Sequence, residues 1–532
     1  MNRDITFRQA AFIVLIFAAV QFLIQVGLLT RGIAYAAGSL VIDDAYYYLQ
    51  TAWNAKLLGF VTFDGLHPTN GVQFLWFVII YLLALISKTK AALLFTTLAV
   101  SFLFNGFCYY FIFKIGAILK QPVVALFMAS LWALQSLPFR IYSMGMENSL
   151  HALVFWLVVW QSLVFLIRVE NKDQPNFWDL TVVLVLLVWT RLDSALVAAV
   201  LFTFCVGVLA YSYRHHLKLF LQTYSKDIVG SGILAGTGLI AQLVGFRLMG
   251  DSFLPVSAMV KTSGAARGLS AESVNKFVDV LLLGMPSIVQ GRLPEFVLIL
   301  LGFAGILIVI GVSATIPNSS KERSTFIKLW SCLLVGELLY HTFVSVSGVE
   351  YTSYFIWYRS PSFIFWILTG SLIATFTFEY AKRIQPSYQR FPWVPVASSL
   401  FIFNVAVYMF VRSIDFRSKL YDARYNAALW IAENSAPDTV FAAWNTGELS
   451  FFSNRTFINL DGVINNADYY ERFLSGSIPL MDYLSENEVD YIVDYQIYDS
   501  IPDFPVIRTF PIEDGSGRSI QIWQVNPHIS SN

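Results

Sequence analysis

The stretch Ile42-Asp43-Asp44-Ala45-Tyr46-Tyr47-Tyr48 sets two adjacent carboxylates before a run of aromatics, with Phe63-Asp64-Gly65 and His67-Pro68-Thr69-Asn70-Gly71 close behind. One such acid suits a general base on an acceptor hydroxyl, while the other orients that hydroxyl or a cation. Residues 43–58 read as an interfacial helix, since acids favour a helix N-terminus and aromatics favour the headgroup level. Plain N-capping of that helix accounts for the same residues. Further along come Glu147 in Met144-Gly145-Met146-Glu147, then Arg191-Leu192-Asp193. Lys261 lies in a 250–292 loop, and Tyr351, Tyr358 and Arg359 lie in a 347–359 loop. Each charge alone suits a snorkelling anchor at a span end. Together they suit a cavity with a base, phosphate-binding cations and sugar-stacking rings, because basic groups neutralise phosphate and donate hydrogen bonds to it.

The elements that position these residues are membrane helices. Of 532 residues, 56% are hydrophobic and only 13% charged, with a mean hydropathy of +0.61. A soluble globular chain carries nearly twice that charged fraction. Apolar runs of about 20 residues, enough for roughly 30 Å of hydrocarbon, recur along the chain. They fall near 9–30, 92–114, 122–137, 147–167, 175–190, 193–211, 228–248, 293–313, 326–346, 360–379 and 393–412. The first is longer than a secretory h-region and is followed by further spans, so it is expected to be retained despite Ala34-Tyr35-Ala36 beyond it.

Basic residues in short loops set the orientation. Arg3 and Arg8, Lys114 and Lys120, Arg168 and Lys172, and Arg214, Lys218 and Lys226 fall on one side, with Lys321, Arg323, Lys328, Lys382, Arg383 and Arg390, provided that 72–87 does not cross. That segment is expected to be a short re-entrant or interfacial helix, against which Lys88 and Lys90 argue. The expected fold is a polytopic α-helical membrane protein of eleven spans, or twelve if 72–87 crosses. The first external loop is 31–71, and all the candidate residues sort to the external face.

After residue 412 short apolar runs at 439–443, 456–460 and 491–493 alternate with helical patterns at 420–434 and 478–487. This predicts a membrane domain over 1–412 and a soluble external α/β domain over 413–532. Cys108, Cys205 and Cys332 sit in apolar runs without metal or redox spacing, so they are expected to be small buried hydrophobes. His215-His216 reads as solvated. Formal net charge is zero, which suggests no nucleic-acid partner. No GxxxxGK[ST] phosphate cradle occurs in the short inner loops, which disfavours a nucleotide-driven pump or a cytosolic nucleotide-sugar enzyme.

The Asp-Asp pair after the first span, the aromatic helix and the Phe-Asp-Gly…Thr-Asn-Gly segment resemble the GT-C superfamily of integral-membrane glycosyltransferases. The likeness is to prokaryotic protein mannosyltransferases, aminoarabinose transferases and arabinofuranosyltransferases. Gly-Met-Glu at 145–147, Arg-Leu-Asp at 191–193, Tyr-Arg-Ser-Pro at 358–361, Ala442–Gly447 and Asn459-Leu460-Asp461-Gly462 are similar to the same group. The resemblance implies inverting transfer from a polyprenyl-phosphate sugar to a protein, lipid or polysaccharide hydroxyl, in the cell inner or plasma membrane. It implies Asp43 or Asp44 as base, with Asp44 preferred, and Glu147 assisting.

Lys261, Arg359 and Arg191 are expected partners of the lipid phosphate by placement. Tyr358, Tyr351, Asp193, His67 and Asn70 complete the expected substrate site. The WWD-type signature of metal-dependent oligosaccharyltransferases is missing. Metal dependence stays open: magnesium or manganese, if bound, would fall to Asp43, Asp44 and Glu147. The rival reading is a transporter or flippase of lipid-linked sugars, whose ionisable residues should lie mid-span and near pseudo-repeats; no repeat is visible.

Overall fold

The computed structural model describes residues 6–136, 144–263, 305–307, 321–346, 360–384, 396, 398–403, 405–406, 418–474, 476, 478–495 and 504–525. The chain is an integral multi-pass membrane protein. Among the described residues six helices are long and apolar enough to cross a bilayer, and four more are apolar but shorter. In chain order the described helices before the C-terminal unit run α1 (Phe7–Leu29), α2 (Ile33–Ser39), α3 (Asp43–Leu58), α4 (Phe74–Ile86), α5 (Lys90–Ile118) and α6 (Pro122–Ser136). There follow α7 (Asn148–Asn171), α8 (Phe177–Thr190), α9 (Ala195–Ser212), α10 (Leu217–Gly250) and α11 (Val256–Ser263). Then come α12 (Lys321–Val346) and α13 (Ser360–Ile384). The expected spans at 293–313 and 393–412 lie largely outside the described residues.

Local signals explain the boundaries that matter. Helix α1 begins at a capping box in which Gln9 N–H donates to Thr6 Oγ1 (3.3 Å) and Thr6 N–H donates to Gln9 Oε1 (2.9 Å). Helix α3 has Asp43 and Asp44 in its first turn and Lys56 in its last, matching the helix dipole at both ends. Helix α10 starts at Leu217, so Lys218 and Lys226 belong to the helix rather than to the loop before it. His215 and His216 are exposed at the turn ahead of it, and the three cysteines are buried and free.

Both ends of helix α4 are tied to α3. At its start Gln73 N–H donates to Tyr48 Oη on α3 (3.3 Å), and at its end Lys56 Nζ on α3 donates to the Ser87 carbonyl (2.6 Å). Lys90 Nζ then donates to the Phe451 carbonyl of the C-terminal unit (3.0 Å). This lysine is therefore held by a contact on the α3 side of the bundle and does not mark a loop at the opposite end. At that opposite end Lys120 pairs with Glu322, and Lys328 with Glu170.

The C-terminal unit comprises α14 (Lys419–Asn434), β1 (Val440–Ala443), α15 (Gly447–Ser453), β2 (Thr456–Asn459), α16 (Leu480–Glu486), β3 (Tyr491–Tyr495), β4 (Val506–Pro511) and β5 (Ser519–Gln524). The strands form one sheet in the order β2-β1-β3-β5-β4, with β1 parallel to β2 and β3, and β5 antiparallel to β3 and β4. Strands β1 to β3 fall on the apolar runs seen in the sequence. Strands β4 and β5 were not foreseen. The reason is visible in β4, a mostly exposed edge strand ending in Pro511, which lacks the buried alternation that marks a strand.

Candidate functional site

The site is assembled where α3 meets α7, α11 and the C-terminal unit. Asp43 and Asp44 are neighbours with different fates. Asp43 Oδ1 accepts from Glu448 N–H (2.9 Å) and Oδ2 from Gly447 N–H (3.2 Å), at the start of α15. The Arg424 guanidinium of α14 lies 3.8 Å from Asp43 Oδ1. Both oxygens of this buried carboxylate are thus engaged in holding the C-terminal unit to α3, some 400 residues away in sequence.

The fit is close. A Cβ on Gly447 would stand 2.2 Å from the Asp43 carbonyl oxygen, nearer than any real contact allows. Gly447→Ala is expected to cost about 1–3 kcal/mol through overpacking. The check is the apparent melting temperature in detergent together with proteolytic release of the C-terminal unit; an unaltered protein in both assays would refute the clamp.

Asp44 takes the other face of α3. Its half-buried carboxyl is pushed up to about 6, first by burial and then by Asp43 and Glu147, while Lys261 and Arg424 pull it down. A base with an affinity near neutrality, beside a lysine, can take a hydroxyl proton at physiological pH.

Glu147 and Arg191 are buried below it. Glu147 Oε2 accepts from Tyr48 Oη (3.0 Å) and Oε1 from Arg191 Nη1 (3.0 Å). Arg191 also donates to both Asp193 oxygens, at 3.2 and 2.7 Å, and Tyr340 Oη donates to Asp193 Oδ2 (2.9 Å). The chain Tyr48–Glu147–Arg191–Asp193–Tyr340 links α3, α7, the 192–194 turn and α12. With Arg191 only 3% exposed and bound to two carboxylates, it serves as the centre of an ion triad. Next to Tyr340, His341 Nε2 contacts Glu337 Oε2 (3.0 Å) and Ser362 Oγ (2.7 Å), a buried polar group that the sequence analysis missed. It lies in the turns of α12 and α13 nearest this site, because Ser362 is at the start of α13.

The remaining predicted residues divide. His67 Nδ1 contacts Asp64 Oδ2 (2.8 Å), and Asp64 Oδ1 accepts the Leu66 and His67 N–H groups, both at 2.8 Å. This pair builds a turn, and the Asp64 bond raises the His67 imidazole. Asn70 is wholly buried. Its amide donates to the carbonyls of Phe246 (3.2 Å), Ser252 (2.8 Å) and Leu254 (3.1 Å), and its oxygen accepts from Val256 N–H (2.8 Å). Asn70 therefore fixes the start of α11 and, with it, Lys261. Tyr351, Tyr358 and Arg359 lie outside the described residues.

Two residues escaped the sequence analysis as site members. Arg424 sits in an ordinary amphipathic helix and carries no local signal. Asp461, in the turn after β2, belongs to the Asn459–Gly462 motif, and no local feature of that motif marks it as a site residue. Its carboxyl is pushed up to about 7 by burial, then by Asp44 and Asp43, against the pull of the Val463 N–H.

For a divalent cation the fit is poor. Among the described residues no three His, Cys, Asp or Glu side chains form a metal-holding group. The oxygens of Asp43 and Glu147 are already engaged. An apolar groove of about 510 Å³ between α1 and α5, bounded by Phe22, Phe107 and Tyr110, shares no residue with this site.

The arrangement of spans, α3 and C-terminal sheet matches two solved structures over nearly the whole chain. They are ArnT from Cupriavidus metallidurans bound to undecaprenyl phosphate and the same protein in the apo state. Each aligns with a TM-score of 0.53, at 11% and 12% identity, covering 98% of this chain and 99% of that one. The fold is that of ArnT, a GT-C glycosyltransferase. At such low identity the likeness carries the fold alone. Residues 412–525 match a family model described as a domain of unknown function, DUF8728. No curated protein matches the sequence.

Proposed function

We propose that the chain is a GT-C-type glycosyltransferase that moves a sugar from a polyprenyl-phosphate donor to an acceptor hydroxyl, with inversion and with Asp44 as general base. The observation that carries this reading is the division of labour in the Asp pair. Asp43 is consumed by Arg424 and the start of α15, which leaves Asp44 beside Lys261 with an affinity near 6. The undecaprenyl phosphate bound by ArnT, which shares the fold, supports a lipid-phosphate donor here.

In this mechanism Lys261, joined by Arg359, pairs with the donor phosphate, and Tyr358 and Tyr351 flank the sugar. The acceptor oxygen attacks the anomeric carbon from the face opposite the phosphate, giving its proton to Asp44. The anomeric C–O bond breaks and its electron pair leaves with the polyprenyl phosphate, which needs no protonation. Glu147, Arg191 and Asp193 hold Tyr48, and so the α3 face that presents Asp44. His67 and Asn70 act indirectly, through the loop and through α11. We place the site and the 413–532 domain on the non-cytoplasmic face, because the short basic loops gather at the opposite end.

The test is incubation of purified protein with radiolabelled polyprenyl-phosphate sugars, following transfer and slow donor hydrolysis. A base must be deprotonated to act, so a carboxyl raised to about 6 makes the rate rise with pH through about 6 and level off above it. Below that value the rate should fall roughly tenfold per pH unit. A rate that is flat across this window rules out Asp44 as the base. Lipid moved across vesicles equally well by wild type and Asp44→Asn, with no transfer, would install the transporter in its place.

A further inference from the structure

Asp461 is an acid that neither the base nor the clamp accounts for. It opens the turn after β2, where its Oδ1 accepts from Val463 N–H (2.9 Å) and its Oδ2 lies 3.5 Å from Tyr47 Oη on α3. Gly462 follows at φ +82°, and a Cβ there would stand 3.2 Å from Val260 Cγ2, so the turn presses on α11 one residue before Lys261. Thr69 Oγ1 donates to the Asn465 carbonyl (2.7 Å), pinning the other side of the turn to the first external loop. Asp461 therefore stands where α3, α11 and the C-terminal unit meet, within electrostatic reach of Asp44.

We propose that Asp461 binds a hydroxyl of the donor sugar, which makes the C-terminal unit a determinant of the sugar transferred. The inference rests on the transferase reading above. A sugar joined through one oxygen to a phosphate at Lys261, and attacked from the Asp44 side, has its ring between those two residues. Asp461 borders both positions. A carboxylate offers about four lone-pair sites. The Val463 N–H, the Asn459 side chain and one long tyrosine contact leave capacity for a substrate hydroxyl, and among the described residues no arginine ion-pairs with this acid as Arg424 does with Asp43. Discrimination between sugars follows, because a site built to hydrogen-bond a hydroxyl rejects analogues that leave its buried group unpaired.

The experiment compares binding of undecaprenyl phosphate alone with binding of the same lipid carrying a series of hexoses and pentoses. Wild type, Asp461→Ala, Asp461→Asn and Tyr47→Phe are measured in detergent. Asp461→Ala is expected to bind undecaprenyl phosphate as wild type does, yet bind the preferred sugar-lipid about tenfold more weakly and lose preference among sugars. Asp461→Asn, which keeps an acceptor oxygen, should recover part of that preference, and Tyr47→Phe should retain it. Equal weakening of both ligands in Asp461→Ala, or no weakening, overturns the inference while leaving the transferase in place. So does a Tyr47→Phe variant that reproduces the defect, since the carboxyl would then act only by holding α3. A wild type that binds neither ligand removes the transferase reading and this inference with it.

Discussion

Asp44→Asn is expected to abolish sugar transfer, lowering the rate by about 10²–10⁴-fold, the usual worth of a positioned general base. The substitution removes proton affinity and little else, since the amide keeps the size of the carboxyl and Asp44 caps no helix. Binding of undecaprenyl phosphate and the melting temperature should therefore stay near wild type. Asp43→Asn should behave in the opposite way. Its carboxylate neutralises Arg424 and accepts two N–H groups of α15. Replacement removes one of the carboxylates that act on the buried Arg424 guanidinium, Asp494 being another, so stability should fall first and activity with it. Radiolabel transfer measured beside thermal unfolding separates the two patterns. Full activity in Asp44→Asn, with an inactive but stable Asp43→Asn, would reverse the assignment.

The second large effect is on stability. Arg191 joins Glu147 to Asp193 in a site where its side chain is 3% exposed. Arg191→Ala strands the buried Glu147 carboxylate and the half-buried Asp193 carboxylate, and breaking a buried pair in this way costs about 3–5 kcal/mol. The variant should unfold at a markedly lower temperature or fail to accumulate in membranes. The informative companion is the triple change Glu147→Gln, Arg191→Met, Asp193→Asn. It removes all three charges together and should restore much of the stability, because desolvation of the triad offsets most of its attraction. Activity should not return in full, since Tyr48 loses its charged partner and α3 its fixed pose. A triple variant as unstable as Arg191→Ala would show that packing, not charge, decides this junction.

The parts of the molecule legible in the sequence are those decided over one or two turns of chain. Each membrane helix is its own signal, because a run of about 20 apolar residues has nowhere else to go. The strands β1, β2 and β3 were readable for a similar reason, as short apolar runs between helical patterns. The edge strand β4 was not, because its residues are mostly exposed. Helix α4 was ambiguous as long as Lys88 and Lys90 were counted as loop charges. The Lys90 bond to the Phe451 carbonyl and the bonds joining both ends of α4 to α3 left no local signal, because their partners lie elsewhere in the chain.

The same boundary runs through the site. The sequence alone pointed to a carboxylate pair, an acid at the span end at Glu147 and a cation at Lys261, since charged residues beside apolar spans stand out by their desolvation cost. What it could not decide was which aspartate is committed, because Gly447, Glu448 and Arg424 reach Asp43 only after the chain has folded back across nearly 400 positions. Nor could it distinguish Arg191 facing a substrate from Arg191 facing two carboxylates, or Asn70 in a pocket from Asn70 holding four backbone groups. Residue type and local spacing determined that the chain lives in a membrane and keeps acids at its edge. Tertiary contacts alone decided which of those acids is left with unused proton affinity, because burial and charge neighbours, unlike helix-forming tendency, come from distant parts of the chain.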